Sequence, residues 1–371
     1  MSAERHIMKK FNLKRKYLFP LLIILLMPSL YAMSVKTTPP FTKNMAIPML
    51  CYHRIIPNGN NIYDITPKQL ETQLQFMKAR GYHPITALQF ISLQKSPQLL
   101  PDKPVVITFD DGSKSHYQNV LPILKKLGLK ATFFVYPSAV VNHESKKYLT
   151  WTELSEMVKA GMDIESHTLY HPYLVHAHTN ITDPNYLNWL DHQLKVSKEL
   201  LENHLNITVK LLAYPFGLFN QLIESKAIAA GYSGIFTING GANLLNENPM
   251  RLKRMIMNRQ ISTADLEKFF QSKPLPVAII SPTDASIVAE YPVIQFRLTS
   301  VKLPMIHVQV NNQSADLYPD ANGNFTYQVP KSMNGFNLIV ISGYDDRKDF
   351  YVNTWCFDYL IQNKTNDMSK Y

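Results

Sequence analysis

Hydrophobic and polar positions repeat with two different periods along residues 66–237. Apolar positions three or four residues apart predict amphipathic helices, and short uninterrupted apolar runs predict buried parallel strands. Thr66-Pro67-Lys68-Gln69 and Thr150-Trp151-Thr152-Glu153 are typical of helix starts, because Thr can cap and Gln or Glu can complete a capping box. The predicted strands are Val105–Phe109, Ala131–Val135, Met162–Ser166, Leu211–Pro215 and Ile235–Thr237. The predicted helices include Pro184–His204 and Gln221–Ala230 and others that end near Gly81, Gly128 and Gly161. This alternation of strand and helix indicates a parallel sheet or a (β/α) barrel.

The pattern changes near Lys273-Pro274-Leu275-Pro276, where short β-rich runs separated by turn residues begin. The predicted strands there are Val277–Ile280, Val293–Leu298, Ile306–Val310, Phe325–Val329 and Leu338–Ser342. Asp320–Asn324 has the composition of a hairpin turn. Strands at this spacing favour an antiparallel β-sandwich of immunoglobulin-like type. We therefore expect an α/β domain over residues 33–273 and an all-β accessory domain over residues 274–371.

Residues 1–32 have the pattern of a secretory signal peptide. Six basic residues precede the apolar run Leu18–Met27, and the small residues Ser29 and Ala32 follow it. The run is shorter than the roughly 20 residues that a membrane span needs. We expect cleavage after Ala32, with an uncleaved N-terminal anchor as the alternative. The mature protein is then exported, periplasmic or secreted, with no stable membrane span.

Composition and charge exclude several classes of protein. Hydrophobic residues make up 46% of the 371-residue chain and charged residues 18%, which excludes a disordered chain. Residues 1–32 contain six basic residues and one acidic residue, which account for half of the net charge of +10. Since no basic run with interleaved aromatics follows, we expect no nucleic-acid partner. The chain has two cysteines, Cys51 and Cys356, so it is not a Cys-rich zinc module; whether they pair is left open.

Paired carboxylates follow the predicted strand Val105–Phe109. Asp110 and Asp111 come directly after it, and Gly112 allows the chain to turn sharply. In α/β barrels the carboxyl ends of the strands hold the active site, so one carboxylate could bind a metal while its neighbour contacts water or substrate. The alternative is an Asp-Gly turn that caps the next helix.

Two further groups follow later strands. His167 and His171 are four residues apart and could bind one metal if the segment forms a helical turn; otherwise they are ordinary loop histidines. The Tyr214-Pro215-Phe216-Gly217 corner could direct a main-chain N–H towards an oxyanion, or it is an ordinary turn. One Asp and two His make a suitable ligand set for catalytic zinc, and the spare carboxylate can supply a base.

The ordered motifs TFDDG, HTLYHP and AYPFG resemble those of the polysaccharide deacetylases of carbohydrate esterase family four. The segment Ile47–Ile55 resembles the start of the branch that acts on poly-N-acetylglucosamine or related exported glycans. The resemblance covers roughly residues 45–270 and implies a distorted (β/α) barrel. It implies that Asp110 is the general base and that a metal ion is bound by three ligands. These ligands are Asp111, His167 and His171.

The resemblance also implies that the N–H of Phe216, between Pro215 and Gly217, helps to stabilise the oxyanion. Two departures matter. Many family members have Arg where this chain has Ala213, and many have a late His as general acid, whereas no histidine lies between His204 and His307 here. Arg254 is a candidate to replace the missing Arg. A second accessory candidate is His53, for which a core role is equally open.

We therefore expect an exported, metal-dependent N-deacetylase that acts on N-acetylglucosamine residues of a glycan, with water activated by the metal and by Asp110. Zn²⁺ is the expected metal, with Co²⁺ or Ni²⁺ as alternatives. One alternative function is a carbohydrate-binding relative that is weak or inactive in catalysis, and another is a surface protein that works through its β-sandwich. The sequence leaves open which glycan is used and the oligomeric state.

Overall fold

The computed structural model describes residues 46–141, 146–175, 181–311, 313–329 and 335–359. The predicted signal peptide lies outside these residues. Among the helices described, none is both long enough and apolar enough to cross a bilayer.

The α/β region is built on a curled, eight-stranded sheet in which every pairing is parallel. In chain order, the strands up to residue 256 are β1 (Ala46–Ile47), β2 (Met49–Tyr52), β3 (His83–Ile85), β4 (Pro104–Phe109), β5 (Thr132–Val135), β6 (Asp163–Ser166), β7 (Leu211–Ala213), β8 (Gly234–Phe236), β9 (Asn243–Leu244) and β10 (Met255–Ile256). The sheet has the order β10-β2-β4-β5-β6-β7-β8, with β3 also beside β4, while β1 and β9 form a separate antiparallel pair. The strands predicted from apolar runs are confirmed.

The segment 252–256 connects the two ends of this sheet. Leu252 makes a parallel bridge to Phe236 in β8, and three residues later Met255 pairs with Leu50 in β2. The sheet therefore curls until its first and last strands share one short connecting segment. Arg254 lies within that segment, so its position depends on the curl of the whole sheet.

Eight α-helices are described. They are α1 (Pro67–Ala79), α2 (Ala87–Leu93), α3 (Leu121–Leu127), α4 (Pro137–Val141), α5 (Trp151–Lys159), α6 (Pro184–Leu205), α7 (Gln221–Ala229) and α8 (Thr263–Gln271). Short 3₁₀ turns cover Pro97–Leu99, Pro215–Gly217 and Pro249–Arg251, and a π-helical turn covers His116–Val120. Both predicted capping boxes are formed, at Thr66 with Gln69 and at Thr150 with Glu153, and this fixes where α1 and α5 begin.

The C-terminal region consists of two sheets that share one apolar core. Its strands are β11 (Lys273–Pro274), β12 (Val277–Ser281), β13 (Ser286–Val288), β14 (Val293–Leu298), β15 (Ile306–Val310), β16 (Gln313–Leu317), β17 (Asn324–Gln328), β18 (Gly335–Tyr344) and β19 (Phe350–Tyr359). One sheet has the order β11-β19-β18-β15-β16, with β13 beside β19, and the other has the order β12-β14-β17. The predicted class, a (β/α) barrel-like domain followed by an all-β region, is confirmed; the immunoglobulin-like type stays a prediction.

Two details of the all-β prediction are wrong. The sandwich is not purely antiparallel, because β11 and β13 both run parallel to β19. Asp320–Asn324 is not a hairpin turn, because β16 before it pairs with β15 and β17 after it pairs with β14 in the other sheet. The Asp320 carboxylate accepts hydrogen bonds from two backbone N–H groups of this turn, so the turn is stable by itself and does not determine which strands pair.

The described residues form one compact unit, and the all-β region packs on the α/β core. The buried side chains of Ala285 and Cys356 belong to the α/β core although they lie in the C-terminal region. Cys51 and Cys356 are both free thiols and both buried, so they do not pair in this structure. The domain limits at residues 33, 273 and 274 stay proposals.

Candidate metal centre and catalytic cavity

The candidate site lies where the parallel strands end. His53 follows β2, Asp110 and Asp111 follow β4, His167 follows β6, and the corner that contains Phe216 follows β7. Because parallel strands present their carboxyl ends at one edge of the sheet, these distant segments meet around a single cavity of 360 Å³. The cavity is lined by His53, Arg54, Asn61, Tyr63, Asp64, Asp110, Asp111, His167, His171, Tyr214, Phe216, Ile238 and Ile256.

Asp111, His167 and His171 form a compact group of possible metal ligands. The Nε2 atoms of His167 and His171 lie 3.5 and 3.3 Å from Oδ1 of Asp111, and one ligand atom from each residue lies within 4.8 Å of the others. The segment between the histidines is not a helical turn as the sequence suggested. Thr168 and His171 have φ of +64° and +57°, so an irregular loop brings the two imidazoles together.

The hydrogen bonds and charges of this group suit a divalent cation. Nδ1–H of His167 donates to the carbonyl oxygen of Ala213 (2.8 Å), which leaves Nε2 directed towards Asp111. Burial alone would lower the pKa of His167, but its hydrogen bond to Asp111 and the charge of Asp110 raise it above the ordinary value. Burial and the neighbouring His167 lower the pKa of His171 to about 4, so this imidazole is neutral, as a metal ligand must be. One carboxylate and two imidazoles that face each other fit zinc.

Asp110 lies beside this group but has different partners. Its two oxygens accept hydrogen bonds from Nη1 and Nη2 of Arg254, both at 2.7 Å. Arg254 is fully buried, also donates to Thr108, and lies over the rings of Phe134 and Phe236. Burial alone would raise the pKa of Asp110, but the Arg254 guanidinium holds it below the ordinary value. The structure therefore keeps Asp110 ionised and oriented by an arginine that lies behind it, outside the cavity.

His53 and Cys51 approach Asp110 from β2. The Cys51 thiol donates to Oδ2 of Asp110 (3.3 Å), and possible ligand atoms of Cys51, His53 and Asp110 lie within 4.8 Å of one another. Nε2–H of His116 donates to the main-chain carbonyl oxygen of His53 (2.8 Å), which fixes this backbone. Nδ1 of His53 is buried without a hydrogen-bond partner among the described residues. His53 therefore lines the cavity, and its Nδ1 is not committed to a hydrogen bond within the described residues.

The predicted oxyanion corner forms one wall of the cavity. Phe216 has a φ of +58° and is followed by Gly217 at +67°, which gives the sharp turn that the Pro-Phe-Gly sequence suggested. The Phe216 ring stacks on Tyr173 with a centroid distance of 4.0 Å and meets the His171 ring edge to face. Pro215 and Gly217 are buried and shape the corner, whereas Phe216 lines the cavity.

A part of the cavity lining that the sequence did not predict comes from the loop after β2. Arg54 pairs with Asp64 through two hydrogen bonds of 2.8 Å, and Tyr63 lies with its ring centroid 5.7 Å from that of His53. The available signal was Arg54, a charged residue two positions past the end of β2; Tyr63 and Asp64 lie further along the loop and gave none. Two aromatic residues therefore line the cavity, Tyr63 beside His53 and Phe216 beside His171.

Comparisons with known proteins agree with this architecture. The sequence profile of the family "Polysaccharide deacetylase" matches residues 98–235, which include Asp110, Asp111, His167, His171 and Phe216. YxkH of Bacillus subtilis (strain 168), assigned to the same family, is 28% identical over 230 residues, which are 62% of this chain and 78% of YxkH. The poly-beta-1,6-N-acetyl-D-glucosamine N-deacetylase of Staphylococcus epidermidis is 28% identical over 209 residues, which are 53% of this chain and 68% of that protein.

A solved structure agrees as well. The Streptococcus pyogenes deacetylase PplD, in complex with acetate, superposes with a TM-score of 0.56 and 27% identity, over 61% of this chain and 99% of that chain. The matched profile, the similar fold and the candidate site coincide in the same part of the chain. Residues 98–235 thus match the polysaccharide deacetylase family (carbohydrate esterase family four), and the similar proteins named for an activity are deacetylases, hydrolases that cleave carbohydrate amide bonds.

Proposed function

We propose that this protein is an exported N-deacetylase that removes acetyl groups from N-acetylglucosamine residues of a polysaccharide. The observation that carries the proposal is the pairing of Asp110 with Arg254 beside the Asp111, His167 and His171 group. An ionised base that is not itself a metal ligand in this group, next to three ligands in one cavity, is the arrangement that amide hydrolysis needs.

Each residue has a defined part in the proposed reaction. Asp111, His167 and His171 would hold a divalent cation, zinc by preference, which lowers the pKa of water and polarises the acetamide carbonyl. Asp110 accepts the proton of the attacking water, and Arg254 keeps its carboxylate oriented. The N–H of Phe216 is proposed to donate to the oxygen that gains charge as the carbonyl carbon becomes tetrahedral.

The amine leaves only after it gains a proton, and we assign this step to His53. No histidine lies between His204 and His307 for the role, but the His53 imidazole lines the cavity close to Asp110. Its backbone is fixed by His116, so the ring is held at the edge of the site. The C–N bond then breaks to give acetate and a free glucosamine amine.

Two observations support the substrate and the location. The S. epidermidis relative is named for poly-beta-1,6-N-acetyl-D-glucosamine, and the aromatic residues Tyr63 and Phe216 that line the cavity are suited to stack on a sugar ring. The pattern of residues 1–32 predicts export, which would bring the protein to extracellular glycans.

The proposal is tested by measuring acetate release from a panel of acetylated glycans. The panel contains poly-β-1,6-N-acetylglucosamine, chitin oligomers and peptidoglycan, each with and without a chelator. We expect release from the β-1,6 polymer that stops with chelator and returns with Zn²⁺. If no glycan yields acetate at saturating Zn²⁺ while the protein still binds these glycans, the chain is a binding protein.

Two variants separate the base from the metal ligands. Asp110→Asn should lower turnover by about 10²–10⁴-fold and keep stoichiometric metal, because Asn can still accept from Arg254 but cannot take a proton. His171→Ala should lose the metal of the Asp111 group and the activity together. Unchanged turnover of Asp110→Asn would refute the assignment of the base, and full metal content in His171→Ala would exclude that ligand.

A further inference from the structure

We propose that Cys51, His53 and Asp110 form a second divalent-cation site that contains a thiolate and whose occupation inhibits the enzyme. The inhibition rests on the function proposed above, whereas the binding of a second cation does not. The two sites would be neighbours, since Oδ2 of Asp110 lies 3.9 Å from Nε2 of His167.

The strand register explains why these three side chains meet. Cys51 and His53 are two residues apart on an extended segment, so their side chains point to the same side. In the parallel pairing of β2 with β4, Cys51 lies opposite Thr108, which sets His53 beside Asp110. One ligand atom from each of the three residues lies within 4.8 Å of the others, the same limit that the Asp111 group meets.

The hydrogen bonds leave room for a cation at this point. Oδ2 of Asp110 accepts from Arg254 and from the Cys51 thiol. When a cation binds the sulfur, the thiol proton leaves to the buffer, and the lone pair of Asp110 that accepted it becomes free for the cation. Nδ1 of His53, buried without a partner among the described residues, shows that this imidazole is not committed to another hydrogen bond. The thiolate and the carboxylate bring two negative charges to the ion, and the carboxylate shares its charge with the Arg254 guanidinium.

The donor set distinguishes this site from the first one. Sulfur is a soft ligand that favours Zn²⁺ or Co²⁺ over Mg²⁺ or Ca²⁺, whereas the Asp111 group has only oxygen and nitrogen donors. A second cation would occupy both the carboxylate that takes a proton and the imidazole that gives one. We therefore expect activity to rise with the first equivalent of Zn²⁺ and to fall with the second.

Cobalt(II) gives a readout that needs no turnover. The metal-free full-length protein is titrated with Co²⁺ while bound metal is counted by equilibrium dialysis and the near-ultraviolet thiolate-to-cobalt charge-transfer absorption is recorded. We expect two equivalents in the unmodified protein, with the thiolate band. Cys51→Ser should bind one equivalent without the band, and its activity should no longer fall with excess Zn²⁺. Serine keeps a donor for Asp110, and Cys51→Ala serves in its place if thermal unfolding indicates that the serine variant is not folded.

Cys356→Ser is the matched control. Cys356 is the other buried thiol and lies 3.8 Å from a carboxylate oxygen of Asp284, but it belongs to no ligand group with a histidine among the described residues. This variant should keep both equivalents and the band. A single equivalent without the band in the unmodified protein, or a band that persists in Cys51→Ser, would overturn the proposal. Two equivalents with the band in a protein that releases no acetate would support the second site and refute the proposed function.

Discussion

The neighbouring carboxylates Asp110 and Asp111 lie at the same edge of the sheet but have different surroundings. Asp110 is 2% exposed and bound by a buried arginine, whereas Asp111 has a φ of +76° and turns towards two imidazoles. The backbone reversal between adjacent residues therefore separates the proposed base from the proposed metal ligand. The sequence could only suggest Arg254 as the partner of Asp110. The two residues are 144 positions apart and come into contact only in the folded structure.

Arg254→Lys tests the part that the guanidinium plays at the residue scale. Lysine keeps the charge but cannot bind both carboxylate oxygens at once. We expect turnover to fall by about 10–100-fold. Because Arg254 holds the pKa of Asp110 below its ordinary value, weaker pairing raises that pKa, so activity is lost at a higher pH on the acid side. The kcat is measured against pH for both proteins.

A purely structural role for Arg254 would give a different result. The folded fraction would fall, but the acid limb of the pH profile would not move. An unchanged acid limb at equal metal content would therefore contradict the positioning role.

The site residues differ in how far the sequence could predict them. Asp110, Asp111, His167 and His171 sit in local motifs at strand ends, so strand prediction alone brought them to one edge. Arg54, Tyr63 and Asp64 were missed because their loop has no regular period, and its path is set by contacts such as the Arg54 to Asp64 pair.

At the scale of elements, the backbone conformation of the corner after β7 is tightly constrained. Two consecutive residues, Phe216 and Gly217, have positive φ, and the N–H of Gly217 donates to the carbonyl oxygen of Tyr214. A Cβ on Gly217 would lie 2.9 Å from the backbone nitrogen of Ile238 and closer still to its side chain. This close approach holds the loop after β8 against the corner.

Gly217→Ala should therefore disturb the corner and the cavity wall together. We expect activity to fall and the free energy of unfolding to drop by more than the roughly 1–2 kcal/mol that a left-handed alanine costs. Gly323→Ala is the control, because Gly323 has a φ of +79° but open space around its Cβ position. Chemical denaturation and acetate release are measured for both. Equal losses of stability in Gly217→Ala and Gly323→Ala would show that the close contact with Ile238 adds nothing to the cost of the substitution.

The elements themselves were predicted where the signals are local. The helix starts at Thr66 and Thr150 followed from capping chemistry, and α6 from its apolar period. The turn at Asp320–Asn324 was assigned to the wrong strand pair, because turn chemistry is local whereas strand pairing is decided by the shared core of two sheets.

For the whole molecule, the contact between the α/β region and the C-terminal sheets is polar as well as apolar. Arg251, at the end of the 3₁₀ turn Pro249–Arg251, binds both Glu224 of α7 and Asp284 of the C-terminal region. Asn220 donates to Asp358 of β19 across the same contact. Ala285 and Cys356 of the C-terminal region are buried in the α/β core, so the two regions share part of one hydrophobic core.

Arg251→Ala tests this coupling in the full-length chain. The change leaves two carboxylates without their partner, and we expect a loss of about 1–3 kcal/mol in the free energy of unfolding. Arg297→Ala, at an exposed position of β14, should change stability by no more than about 0.5 kcal/mol. Calorimetry should show one transition in the unmodified protein. Similar small effects of both variants, or two separate transitions, would contradict the coupling.

The segment 252–256 has a consequence for how activity is acquired. It bridges the first and last strands of the curled sheet and carries the only guanidinium that contacts Asp110 within the described part of the chain. Residues so distant in sequence pair only after the intervening chain has folded. A partly folded chain can therefore contain every motif and still lack the Arg254 contact that orients Asp110. Folding of the segment 252–256 is then the step that completes the proposed site, so we expect no activity before the sheet is fully formed.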